Sequence, residues 1–215
     1  MTEPAHAQYI LWSTFALFAA IMACSPGPNN VLLASSGANH GFRKTLPLIL
    51  GISIGFPFMM VAVGIGLARI FCEAPHLQTA LRVAGAAYLL WMAWDLARSA
   101  DAEARSGQPL NFLEAAAFQW VNPKAWVIAL VAMSAYTTQG AGIAQIFWLA
   151  LIDLIISFVS CLVWAGFGLL IAQILATSAR RRTFNLSMAA LLALSVPPLL
   201  VQGEWISQNP SLNHQ

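Results

Sequence analysis

The chain has 215 residues, of which 59% are hydrophobic and only 8% charged, with a mean hydropathy of +0.71. An ordinary soluble domain is about one quarter charged, so this composition excludes a water-soluble fold and predicts an integral membrane protein. Ten Lys or Arg against eight Asp or Glu leave a net charge of +2 without a basic stripe, which gives nucleic-acid binding no support.

Six apolar stretches follow in order, at about residues 9–36, 46–67, 77–97, 113–136, 143–175 and 184–201. Spans of about 20 residues each use up nearly the whole chain, so the expectation is one all-α polytopic domain over 1–215 with six transmembrane helices and no second soluble domain. The first stretch is interrupted at Pro26 to Pro28. Its Ile21-Met22-Ala23-Cys24 resembles a lipoprotein cleavage site, but residues 1–8 hold no Lys or Arg, and the segment reads as a first span. The third is the weakest, with Arg82 and Asp95 near its ends, where side chains reach the headgroups. The fifth, at 33 residues, is about 50 Å long against a hydrocarbon core of about 30 Å, so it must tilt, protrude, or break near Gly166 and Gly168.

Seven basic residues in short loops on one side, Arg43, Lys44, Arg98, Arg105 and Arg180 to Arg182, face two on the other, Arg69 and Arg82. The positive-inside rule then puts both termini on the external side. Two halves of three spans, about 1–100 and 110–215, have opposite topology because three is odd, and each opens with a span broken by proline. That is an inverted 3+3 repeat, a transporter habit. Three cysteines, Cys24, Cys72 and Cys161, show no metal-ligand spacing or disulfide framework and read as small buried hydrophobes.

The chemistry concentrates at the breaks. Through Ser25-Pro26-Gly27-Pro28-Asn29-Asn30 no continuous helix can pass without losing hydrogen bonds, and such a break is tolerated at membrane depth only where protein or a water-filled cavity satisfies the freed groups. The half-helix starting near Pro28 offers free amides and a positive dipole end to an anionic group such as a carboxylate; the alternative is a structural kink with packing asparagines. Asn122-Pro123-Lys124 repeats this in the second half and adds a cation. Its ammonium needs a substrate carboxylate, a protein carboxylate or carbonyls freed at the other break, or else it snorkels to the headgroups.

Asp153 lies about ten residues into the fifth span among Leu and Ile. Carboxylates at mid-membrane cost about 2.5 to 3.5 kcal/mol on insertion scales and usually serve a proton or ion pathway; near the external interface this one is merely solvated. Gly51 and Gly55 sit four apart, as close-packed helices require, within one chain or between two copies in a homodimer. Trp12, Trp91, Trp94, Trp120, Trp126, Trp148, Trp164 and Trp205 fall largely toward span ends, although Trp120 and Trp126 could line a cavity; Tyr88 and Tyr136 are further candidates for its wall. His6, His40, His76 and His214 fall in loops or termini, which leaves a membrane-embedded enzyme without a base, and neither a metal nor a cofactor site is indicated. No selectivity-filter sequence supports a channel.

Taken together, Ser25-Pro26-Gly27-Pro28-Asn29-Asn30, Gly41-Phe42-Arg43-Lys44, Gly51 and Gly55, Phe118 to Lys124, Asp153 and Phe184-Asn185 resemble the lysine exporter (LysE/RhtB) family of bacterial amino-acid exporters over essentially the whole chain. The Asn29-Asn30 pairing looks most like the cysteine/O-acetylserine branch, while Lys44-Thr45 stands where a second glycine is often expected. The resemblance implies efflux of a small amino acid or close metabolite across the bacterial inner membrane, driven by the proton gradient or membrane potential. Under that reading residues 25–30 and 122–124 bind substrate and Asp153 couples protons.

Overall fold

The computed structural model describes residues 3–67, 75–98, 108–137, 142–175 and 177–197, and every regular element in them is helical. The helices are α1 (Glu3–Cys24), α2 (Pro28–His40), α3 (Phe42–Ala62), α4 (Pro75–Arg98), α5 (Phe112–Val121), α6 (Pro123–Ala135), α7 (Ile143–Ile174) and α8 (Ser178–Leu194). A π-helical turn at Val63–Leu67 extends α3 and ends where Gly66 takes φ +119°. Arg69, Cys72, Arg105, Trp205 and His214 lie outside the described residues.

Two helices among them, Phe42–Gly66 and Ile143–Ile174, are long and apolar enough to cross a membrane. A third crossing results if Gln8–Cys24 and Pro28–His40, bent by 55° at the proline break, form one span. The second proline break also falls where the sequence puts it. Asn122, extended at φ −82° and ψ 112°, separates α5 from α6, and its Oδ1 caps α6 by accepting from the Lys124 amide at 3.1 Å.

The fifth stretch departs from one of the alternatives read from sequence: α7 runs unbroken for 32 residues through Gly166 and Gly168. Gly168 makes room for a neighbour instead. A Cβ there would stand 2.1 Å from the Ala34 carbonyl oxygen, and one on Gly37 would stand 2.3 Å from that of Ala165, so α2 and α7 cross backbone to backbone. Gly51 and Gly55 do the same within the chain, facing Phe112 to Ala116 of α5.

The core has three parts. Phe15, Met59, Ala129 and Leu149 join α1, α3, α6 and α7; Leu33, Ile49, Ala115 and Ala165 join α2, α3, α5 and α7; Leu89, Phe118 and Leu192 join α4, α5 and α8. The opposite face of α7 is apolar yet exposed, at Phe147, Ile155, Val163 and Leu170, as a lipid-facing helix requires.

Among the described residues, Arg43, Lys44, Arg98 and Arg180 to Arg182 sit near helix ends rather than in loops. Arg43 and Lys44 lie in the first turn of α3, Arg98 closes α4, and Arg180 to Arg182 lie in the first two turns of α8, which starts earlier than its apolar stretch suggests. Asn39 at the end of α2 donates to Asn185 of α8 at 3.0 Å, which brings the Arg43 and Arg180 ends together. His6 lies in α1, His40 ends α2 and His76 lies at the start of α4, so these three are helical rather than in loops. Cys161 is buried as expected, whereas Cys24, on the last turn of α1 beside the break, is exposed.

Candidate functional site

The two breaks meet. Lys124, in the first turn of α6, turns inward and its Nζ donates to the Ser25 carbonyl oxygen at 2.5 Å. Of the partners open to this ammonium from sequence, the structure has a carbonyl freed at the other break. Gly27 makes the crossing possible, because a Cβ there would stand 2.9 Å from Lys124 Cδ and 3.1 Å from its Nζ.

Side chains take up the other groups loosened by Pro26 and Pro28, whose missing amides interrupt the helical ladder. Ser25 Oγ donates to Met22 O at 2.8 Å. Asn30 Nδ2 donates to Ala23 O at 3.0 Å and Ser25 O at 2.8 Å, and Ser160 Oγ of α7 reaches Ala23 O at 3.0 Å. Buried backbone oxygens need such partners, and here they come from α2, α6 and α7 at once. Pro28 and Pro123 are buried at the first position of their helices, where the missing amide costs least; Pro26 is exposed.

Beside the breaks lies a cavity of about 60 Å³, lined by Gly27, Asn29, Asn30, Asn122, Lys124, Asp153, Ser157, Ser160 and Cys161, and by apolar groups including Met22, Phe56 and Ile128. A space of this size holds a few water molecules. The α2 N-terminus beside it has no side-chain cap, with Gly27 extended at φ −174° and ψ 177°. Asp153 is only 4% exposed, and its Oδ2 has no hydrogen-bond partner among the described residues. It is therefore enclosed by protein rather than solvated at an interface. Ser157 and Ser160 continue from it along one face of α7, at the spacing of successive helical turns.

The structure thus brings Gly27, Asn29, Asn30, Asn122, Lys124 and Asp153 around one cavity, with Ser25, Pro26, Pro28 and Pro123 shaping the two breaks behind it. Trp120, Trp126, Tyr88 and Tyr136 do not line it. Trp126 Nε1 donates to Trp120 O at 2.8 Å, Tyr136 packs edge-on to Phe15, and Tyr88 stacks with Trp91.

Sequence reasoning missed Gln119. This fully buried amide on α5 pairs reciprocally with Asn29, donating at 3.3 Å and accepting at 2.9 Å, and its Nε2 also donates to Ala115 O at 2.9 Å. The available signal was an amide in an apolar helix one turn before a break. Ser157 and Ser160 were missed too, although they fall four and seven residues after Asp153.

A cation, a carboxyl group and several amides facing a small cavity make a binding constellation.

Residues 20–201 match the family described as LysE type translocator. A cysteine/O-acetylserine efflux protein of Shigella flexneri serotype 5b is 38% identical over 131 residues, which span 59% of this chain and 66% of that protein. Its counterpart in Escherichia coli K12 is 38% identical over 130 residues, 59% of this chain and 65% of the relative. The match thus spans just under two thirds of the length of these curated relatives. No solved structure matches the chain. The chain belongs to the LysE type translocator family.

Proposed function

We propose that this protein is a secondary exporter of a small neutral amino acid, of the cysteine/O-acetylserine or homoserine/threonine class, carrying it out of the cytoplasm against an inward flow of protons. The observation that carries this reading is the shared cavity of Lys124 and the buried Asp153, set against two helix breaks. A zwitterionic solute needs an anion-seeking and a cation-seeking wall. Lys124 and the uncapped α2 N-terminus form the first, binding the carboxylate; Asp153 lies opposite in charge and carries the coupling proton. The names of the relatives support the substrate class. One charge moving through about 100 mV supplies about 2.3 kcal/mol, enough for a gradient of about fiftyfold per proton.

In this reading the chain crosses the inner membrane six times as an inverted 3+3 repeat with both termini outside. The two broken spans support it, since each carries a proline-led second half of 13 residues, Pro28–His40 and Pro123–Ala135. The clustering of the Arg43 and Arg180 helix ends supports a single cytoplasmic face. With Cys24, Cys72 and Cys161 replaced by serine, cysteines placed at Arg43 and Arg181 should react with an impermeant maleimide in inside-out vesicles and not in intact cells; labelling in intact cells would reverse the orientation.

The function is tested by amino-acid accumulation in the medium of cells overproducing the protein, with Pro26→Ala at matched membrane abundance and with a protonophore. Faster release of one or a few amino acids, lost in the variant and with the protonophore, is the expected result. An unchanged amino-acid profile would point to another solute or to a role other than transport.

A further inference from the structure

We propose that the Lys124 ammonium is a tethered cation filling a cation site built from the last carbonyls of α1, so that the protein works without a bound monovalent metal ion and loss of this ammonium opens the site to sodium. The proposal goes beyond the export reading and does not depend on which solute is carried.

The end of α1 concentrates negative potential. The last carbonyls of a helix lack amide partners and carry the negative end of its dipole. Here Ser25 O receives Lys124 Nζ at 2.5 Å, and Ala23 O lies within reach of the Ser160 hydroxyl at 3.0 Å. Carbonyl and hydroxyl oxygens at an unwound helix are the donors a hard alkali cation selects. A second observation points the same way: Asp153, 4% exposed, lines the same cavity with an Oδ2 that has no partner among the described residues. Lys124 Nζ rests on Ser25 O, the Asn30 amide donates to both carbonyls, and the Asp153 oxygen stands unpaired in the same cavity, so the wall offers more oxygen acceptors than its amide donor neutralises and favours one positive charge. The chain supplies that charge from α6 and clears its path at Gly27, whose missing side chain leaves room for Lys124 Cδ and Nζ. A covalently attached cation cannot dissociate, so the site holds it at any sodium concentration.

Truncation of the side chain leaves the oxygens without a cation. A small monovalent ion then binds the folded form and stabilises it in proportion to the logarithm of its concentration. The test is the thermal unfolding midpoint of the purified full-length protein in sodium chloride and in choline chloride at equal ionic strength. The wild type and Lys124→Arg are expected to unfold at the same temperature in both salts. Lys124→Ala should unfold at a lower temperature in choline and recover progressively as sodium replaces it. Lys124→Met, which keeps the stem, repeats the measurement should the alanine variant be lost on extraction. Equal midpoints in both salts for the variants, or equal loss of both variants in both salts, would overturn the proposal, because sodium would then have restored nothing. A sodium-dependent midpoint in the wild type would overturn it as well. The readout involves no transport, so its failure leaves the export reading standing or falling on its own test.

Discussion

Lys124 Nζ and the carbonyl oxygen of Ser25 are joined by a 2.5 Å hydrogen bond across 99 positions of sequence. This bond ties the break in the first half of the chain to the break in the second. Any movement that opens the cavity by separating α1 from α6 must stretch or exchange it.

Gly27→Ala tests that bond from the other side. The new methyl would meet Lys124 Cδ at 2.9 Å and Nζ at 3.1 Å, atoms at the far end of a flexible side chain. The lysine can therefore swing away, and the fold should survive while the ammonium loses its place. Export rate at matched membrane abundance should fall at least tenfold, which corresponds to about 1.4 kcal/mol. An unchanged rate would show that the ammonium need not lie on Ser25.

The Asn29–Gln119 pair should show coupling. Gln119→Leu leaves the Asn29 amide without its partner in a half-buried site, at a cost of about 1 to 3 kcal/mol. Asn29→Leu should cost a similar amount, and the double variant less than the sum, as contacting residues do. Thermal midpoints of the purified variants measure this directly; strict additivity would contradict the pairing.

The two breaks were legible in the sequence because Pro26, Gly27 and Pro28 crowd one and an Asn-Pro pair marks the other; a proline alone is not enough, since α3 runs on through Pro47 and Pro57. Asp153 was legible for a similar reason, as one acidic residue among Leu and Ile. The partners were not. Nothing near Lys124 in sequence points to Ser25, and Gln119 acquires its meaning only when α5 is laid against α2. The break near Gly166 and Gly168, one of three alternatives the length of this stretch left open, shows the same limit. A glycine in a helix reads as a break until the facing backbone of Ala34 is known.

That contact separates two neighbouring glycines. Gly168→Ala would drive a methyl to 2.1 Å from the Ala34 carbonyl oxygen, whereas Gly166 has nothing within 4 Å of an added Cβ. Overpacking against backbone costs about 1 to 3 kcal/mol or more, so Gly168→Ala should unfold at a clearly lower temperature. Gly166→Ala should be neutral or stabilising by up to about 1 kcal/mol, since alanine favours the helix. Equal midpoints for the two would refute the close crossing of α2 and α7.

Asp153→Asn keeps the shape of the side chain and removes its ability to ionise. Proton-driven export by the wild type should rise as external pH falls. The variant should remain folded and reach the membrane, yet show a flat response to external pH. A wild-type pH response in Asp153→Asn would remove this residue from proton coupling.

The most direct test of amino-acid export through the joined breaks is uptake of radiolabelled O-acetylserine and cysteine into energised inside-out vesicles. Wild type and Lys124→Ala are compared in sodium-free medium. Saturable uptake by the wild type, competition between the two solutes, collapse on addition of a protonophore, and loss in the variant are the expected results. Uptake no faster than in vesicles lacking the protein, for both solutes and with the gradient intact, would contradict it.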